Sequence, residues 1–154
     1  MGFEGSKQAL EKAREIDPRI LIEEGLEVRE IECGIIGHSK LLTSVIGEVT
    51  YKSDWYDYDS KYNSNNKITI PAEIDFKIKK EIKEIAIQSC RALNIFGFAR
   101  VDFFLEKSSN KILLNEINTI PGVTKSSMFP MLWKASGLKI EQLVAKLVDI
   151  SLDL

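Results

Sequence analysis

Two apolar runs joined by four polar residues constrain this chain more than any other feature. "FGFARVDFFLE" at 96–106 and "KILLNEIN" at 111–118 flank "KSSN", and each alternates with the two-residue period of a strand. The pair reads as a β-hairpin. Side chains alternate between the faces of a strand, so Arg100 and Asp102 share one face, as do Glu116 and Asn118. A turn centred near Ser109 sets Asp102 opposite Glu116 and Arg100 opposite Asn118. A slip of one residue would turn every side chain to the other face.

In that register two carboxylates face each other, which destabilises a sheet unless something offsets them. A hard divalent cation does so, because Mg²⁺ takes one or two carboxylates and completes its shell with substrate phosphates. Asn118 adds a neutral oxygen, and Arg100 a fixed positive charge suited to phosphate. Spacing alone leaves open an ordinary surface ion-pair cluster in which Arg100 neutralises both acids. A glycosidase acid–base pair would leave Asn118 and Arg100 unused.

The rest of the chain predicts an α+β domain, a mainly antiparallel sheet backed by helices. "SKQALEKAREI" at 6–16 reads as a helix with Ser6 as its cap and a Leu10–Ala13–Ile16 stripe. "ILIEE" at 20–24 reads as a short strand. "VREIECGIIG" and "LLTSVIGEVT" read as antiparallel strands joined through "GHSK". Residues 51–67, "YKSDWYDYDSKYNSNNK", are polar and aromatic without a period, a long connection of the kind that is often functional. Pro71 limits "ITIPAEI" to an edge strand or extended passage. Residues 75–94 predict a helix whose inner face is Ile78, Ile82, Ile85, Cys90 and Leu93, and two more helices are expected over 127–136 and 140–152, separated by Gly137.

Composition narrows the function classes. A net charge of −2 without a basic cluster argues against nucleic acid and anionic membrane as partners. No apolar run approaches the roughly 20 residues of a membrane span, and the start has no signal-peptide pattern. Cys33 and Cys90 read as buried free thiols of a cytoplasmic protein. His38, the only histidine, argues against a zinc site or a histidine-based triad. "MGFEGS" formally matches a myristoylation pattern, but so short a match carries no weight.

"ARVDFFL" followed by "LLNEINTIPGVTKSSMFPMLW", with "ILIEEGLEVREIECGIIG" and "WYDYDSKY" upstream in order, resembles the carboxy-terminal lobe of D-alanine–D-alanine ligases, ATP-grasp enzymes of peptidoglycan synthesis. The resemblance implies ATP and two Mg²⁺ ions, with Mn²⁺ as a substitute, and Asp102, Glu116 and Asn118 as metal ligands. It implies that ATP phosphorylates one D-alanine to an acyl phosphate, which the amine of a second D-alanine attacks. Arg100 would stabilise the transferring phosphate, and Lys61 would reach the ATP phosphates. Tyr62 matches the tyrosine of dipeptide-forming members. Glu23, the chain from Glu24 to Leu26, and Glu30 would hold adenine and ribose, with Trp55 and Phe104 on either side of the base. Gly122, Ser127 and Met128 lie in the turn expected to hold the acceptor carboxylate; a plain N-cap is the other role open to Ser127.

On this resemblance residues 1–19 are a tag-like start plus the last helix of the central lobe, and 20–154 are the carboxy-terminal ATP-grasp lobe. An amino-terminal domain and a glycine-rich phosphate loop have no counterpart here, so the chain alone is expected to be inactive. The whole enzyme is expected to be a cytoplasmic homodimer. A lobe of a D-Ala-D-Ser or D-Ala-D-lactate ligase, or a non-catalytic nucleotide-binding module, are the alternatives.

Overall fold

Alternation along the central strands produces a two-sided sheet, and the two sides have different uses. The structure, a computed structural model, describes residues 3–50 and 67–152. Helix α1 spans Phe3–Ile16, followed by strands β1 (Val28–Gly37), β2 (Leu42–Thr50) and β3 (Lys67–Thr69). Helix α2 (Phe76–Ala92), strands β4 (Gly97–Glu106) and β5 (Ile112–Asn118), and helices α3 (Met128–Ala135) and α4 (Ile140–Leu152) complete it. The five strands lie in the order β3-β2-β1-β4-β5, every neighbouring pair antiparallel. This is the α+β architecture the sequence predicts, with β3 an edge strand ahead of Pro71.

One face is core. Ile31, Cys33 and Ile35 of β1 and Ala99, Val101, Phe103 and Leu105 of β4 are buried there. Helix α2 covers them with Ile82, Ala86 and Cys90. Burying a side chain such as Phe103 or Leu105 contributes roughly 1.5–3 kcal/mol each. The Asp75 carboxylate caps α2, accepting from the Lys77 N–H at 2.7 Å. The expected inner face of α2 changes at its end: Leu93 lies past the last turn and is 64% exposed.

The opposite face is covered at one end only. There Ile36, Phe129, Trp133 and Leu143 form a second core under α3 and α4. Gly34 permits that closeness, because a Cβ on it would lie 2.8 Å from Trp133 Nε1. A bulge in β2 places Ser44 and Val45 opposite this one glycine. The ladder groups it frees are taken up by hydroxyls: Gly34 N–H donates to Ser44 Oγ at 2.9 Å, and Val45 N–H to Ser136 Oγ at 2.7 Å.

Two expectations fail near the start. Helix α1 begins at Phe3, so Ser6 lies inside it rather than at its cap. Residues 20–24 are not a strand, and Leu21 and Ile22 are exposed. Strand β1 already has β2 on one side and β4 on the other. The ladder with β4 ends at Val28 and Glu106, so the segment that leads into β1 has no β4 residue beside it.

Candidate functional site

The uncovered half of the second face carries a row of acids. Glu32 of β1, Asp102 of β4 and Glu116 of β5 are partners across three adjacent strands. The next row is Gly34, Arg100 and Asn118. The hairpin therefore has the predicted pairing at both site positions. Arg100 grips Asp102 with two parallel bonds, Nε to Oδ1 and Nη2 to Oδ2, each 2.7 Å. Its Nε also lies 3.0 Å from Glu32 Oε2. Asn118 Nδ2 donates to Asp102 Oδ2 at 2.9 Å and to Glu116 Oε1 at 3.2 Å.

One guanidinium thus serves several acids, and the electrostatics register the strain. Burial pushes the Glu32 carboxyl up to about 8; the Asp102 charge adds to this and Arg100 opposes it. Burial also raises Asp102 above the usual carboxylate range, despite its bonds to Arg100. Burial works against the Arg100 charge, but the Asp102 hydrogen bonds and the neighbouring acids hold it above its ordinary value. A row of like charges with one shared cation has room for more positive charge. Asp102 and Glu116 offer carboxylate oxygens, and Asn118 offers a carbonyl oxygen once its carboxamide turns end for end. Among the described residues no three or more His, Cys, Asp or Glu side chains form a ready-made metal cage. A pair of carboxylates with one amide fits Mg²⁺ bound jointly with phosphate oxygens, and does not fit a self-sufficient structural ion.

Beyond β5 the chain runs through Pro121–Gly122 and turns at Thr124–Ser127 into α3. Ser127 occupies the N-cap position without making a side-chain cap bond. Its Oγ instead accepts from the Thr124 N–H at 3.3 Å and shares a hydrogen bond with Thr124 Oγ1 at 2.7 Å. A Cβ on Gly122 would lie 2.8 Å from that Oγ, so the chain packs this closely over the hydroxyl only with glycine there. Met128 opens α3 with its side chain buried. A hydroxyl at a helix N-terminus, where unpaired N–H groups gather, suits a carboxylate or phosphate.

The family model described as "D-ala D-ala ligase C-terminus" matches residues 3–149. The chain belongs to the D-alanine–D-alanine ligase family. It is 90% identical over 146 residues to a D-alanine–D-alanine ligase of Prochlorococcus marinus strain AS9601, covering 95% of this chain and 41% of the relative. A second such ligase, from strain NATL2A, is 51% identical over 143 residues, covering 92% of this chain and 41% of that protein. The chain thus spans about two fifths of the length of the curated relatives it matches. Among solved structures, the D-alanine–D-alanine ligase of Coxiella burnetii superposes with a TM-score of 0.84 at 31% identity, over 99% of this chain and 40% of that one. The VanG D-Ala:D-Ser ligase of Enterococcus faecalis gives 0.73 at 37% identity, over 83% and 37%.

The remaining residues that the family resemblance singles out fall into three groups. Glu30 and Phe104 are direct partners across β1 and β4, one row from the acids and on the same face. Glu23 and Glu24 are exposed and Leu26 half-buried, in the irregular chain that enters β1. Trp55, Lys61 and Tyr62 lie outside the described residues. Glu32 is the residue that sequence reasoning missed. Its phase was visible, since it shares a face with Glu30. The pairing of β1 with β4, separated by some 60 residues of chain, has no local signal.

Proposed function

We propose that this chain is the carboxy-terminal, nucleotide- and acceptor-binding lobe of an ATP-dependent ligase that joins two D-alanines. The observation that carries this reading is the opposed pair of rows, Asp102–Glu116 and Arg100–Asn118, in a chain so close to named ligases. Asp102, Glu116 and Asn118 would hold Mg²⁺, two ions in the family pattern, with Mn²⁺ as substitute. When bound, the metal offsets charge on the ATP phosphates and on the transferring phosphoryl group.

The chain's own groups supply position and charge. Arg100 would stabilise the phosphoryl group as a D-alanine carboxylate oxygen bonds to the γ-phosphorus and ADP leaves. The product is an acyl phosphate. The amine of the second D-alanine attacks its carbonyl carbon, loses a proton, and expels phosphate. Ser127 and the Met128 backbone would hold that second carboxylate at the start of α3, beside Gly122. Glu30 and Phe104 would take ribose and base, with Glu23, Glu24 and Leu26 at the adenine edge. Lys61, Tyr62 and Trp55 complete the site in this reading as residues of a covering segment. The enzyme is cytoplasmic, where ATP and free D-alanine are available, and a homodimer when whole.

The test joins residues 3–149 to the preceding part of the AS9601 relative. Phosphate release should then depend on D-alanine, ATP and Mg²⁺. Asp102→Asn or Arg100→Ala should lower kcat by about a hundredfold to a thousandfold. The 154-residue chain alone should release phosphate only at background. Turnover by the isolated chain, or full activity of Asp102→Asn, overturns the reading. The similarity to the D-Ala:D-Ser ligase makes D-serine the second acceptor to assay, with the dipeptide product identified by mass.

A further inference from the structure

The ligase reading leaves Glu32 without a role, although it stands in the row of acids and is only 9% exposed. We propose that Glu32 is a positioning residue that keeps the Arg100 guanidinium in place when Asp102 turns its oxygens to a ligand. The proposal rests on the site reading above.

The geometry around one atom is the basis. Arg100 Nε carries a single hydrogen, and it points at Asp102 Oδ1, 2.7 Å away. Glu32 Oε2 lies 3.0 Å from the same nitrogen. That oxygen is buried and makes no hydrogen bond. A buried carboxylate oxygen without a donor is unfavourable and uncommon. Here it is an acceptor held in reserve. If Asp102 withdraws, both bonds that fix the guanidinium are lost together. The Nε–H can then turn to Glu32, whose Oε2 is already within hydrogen-bond distance of Nε. Without Glu32, a long flexible side chain would be released to solvent, or would stay on Asp102 and compete with the incoming cation. Glu32 thus lets Asp102 serve a cation while Arg100 remains over the site.

A merely structural ion pair would behave differently. Its loss would alter stability, but any effect on cation binding would not depend on Arg100. The test is a titration of the 154-residue chain with Mg²⁺ in the presence of excess ATP, followed by ¹⁵N NMR, with Glu32→Gln and the same change in an Arg100→Met background. In the parent chain the Arg100 Nε–H should stay protected from water exchange at saturating Mg²⁺. In Glu32→Gln its exchange should rise by about tenfold, and Mg²⁺ affinity should fall severalfold. In the Arg100→Met background, Glu32→Gln should change affinity by less than about twofold. Unchanged protection in Glu32→Gln, or an equal loss of affinity in both backgrounds, overturns the proposal. Should Glu32→Gln lose signal dispersion, Glu32→Asp keeps a carboxyl group but withdraws it from Nε, and the same exchange readout decides. In the joined ligase, Glu32→Gln should lower kcat about tenfold while the D-alanine KM stays within about twofold. Failure of the parent joined protein to make dipeptide would sink the ligase reading, whereas the exchange measurement judges Glu32 by itself.

Discussion

Glu32 and Asp102 show how one face of a sheet can hold charges that would be costly elsewhere. The Glu32 carboxyl stands at about 8 in the fold against an ordinary 4.5, chiefly through burial. The folded state therefore binds this proton more tightly than the unfolded chain does. The Glu32 contribution to stability is complete below about pH 4.5 and is lost as pH rises through about 8. Denaturant midpoints measured across that window should fall less steeply for Glu32→Gln than for the parent chain; parallel curves would refute the assignment. At Gly122 the expected effect is steric. Gly122→Ala should push the Ser127 hydroxyl away and raise the D-alanine KM of the joined ligase by about tenfold, with the fold intact by circular dichroism. Asp102, Glu116, Arg100 and Asn118 were legible because strand alternation and a short turn fix their faces locally. Glu32 was not, because its partner comes from a strand far along the chain.

At the scale of elements, the hairpin pairing at the site was right for an incomplete reason. Near the turn, Leu105 pairs with Ile112 and Phe103 with Leu114; beyond it, Asp102 pairs with Glu116. Asn115 is therefore the extra residue of a bulge. A turn centred on Ser109 gives the correct partners only on the far side of that bulge. The phase break is visible in retrospect, because Ile112 and Ile117 both pack on the core although five positions apart. Bulges bend a strand and re-aim its side chains. Deleting Asn115 should leave the ladder pairing and stability within about 1 kcal/mol. It should lower ligase activity at least about tenfold by re-aiming Glu116, and activity measured beside a denaturation curve separates the two effects. The segment 20–24 misled for the opposite reason: its composition favours a strand, but a strand needs a neighbour, and composition does not say whether one is there.

Across the whole molecule, the α+β class and most of the element order followed from periodicity, whereas the strand order did not, since β1 meets β4 only after the chain has passed through β2, β3 and α2. The amino-terminal stretch leaves Ile16, Leu21 and Ile22 open to solvent, at 91%, 81% and 76% exposure. Exposed apolar surface of this kind favours association. Serine at all three positions should reduce concentration-dependent self-association in sedimentation velocity without lowering the melting temperature. The central strands carry a last consequence. Along β4, Ala99, Val101, Phe103 and Leu105 belong to the core, while Arg100, Asp102 and Phe104 face the site. The two sets are interleaved like codons in overlapping frames. A single-residue insertion here would exchange them wholesale, driving Arg100 and Asp102 inward and Val101 and Phe103 outward. Such a strand can change by substitution but not by length. The 107–110 turn is therefore the place to graft or trim in any redesign, and the bulge at Asn115 is one to leave alone.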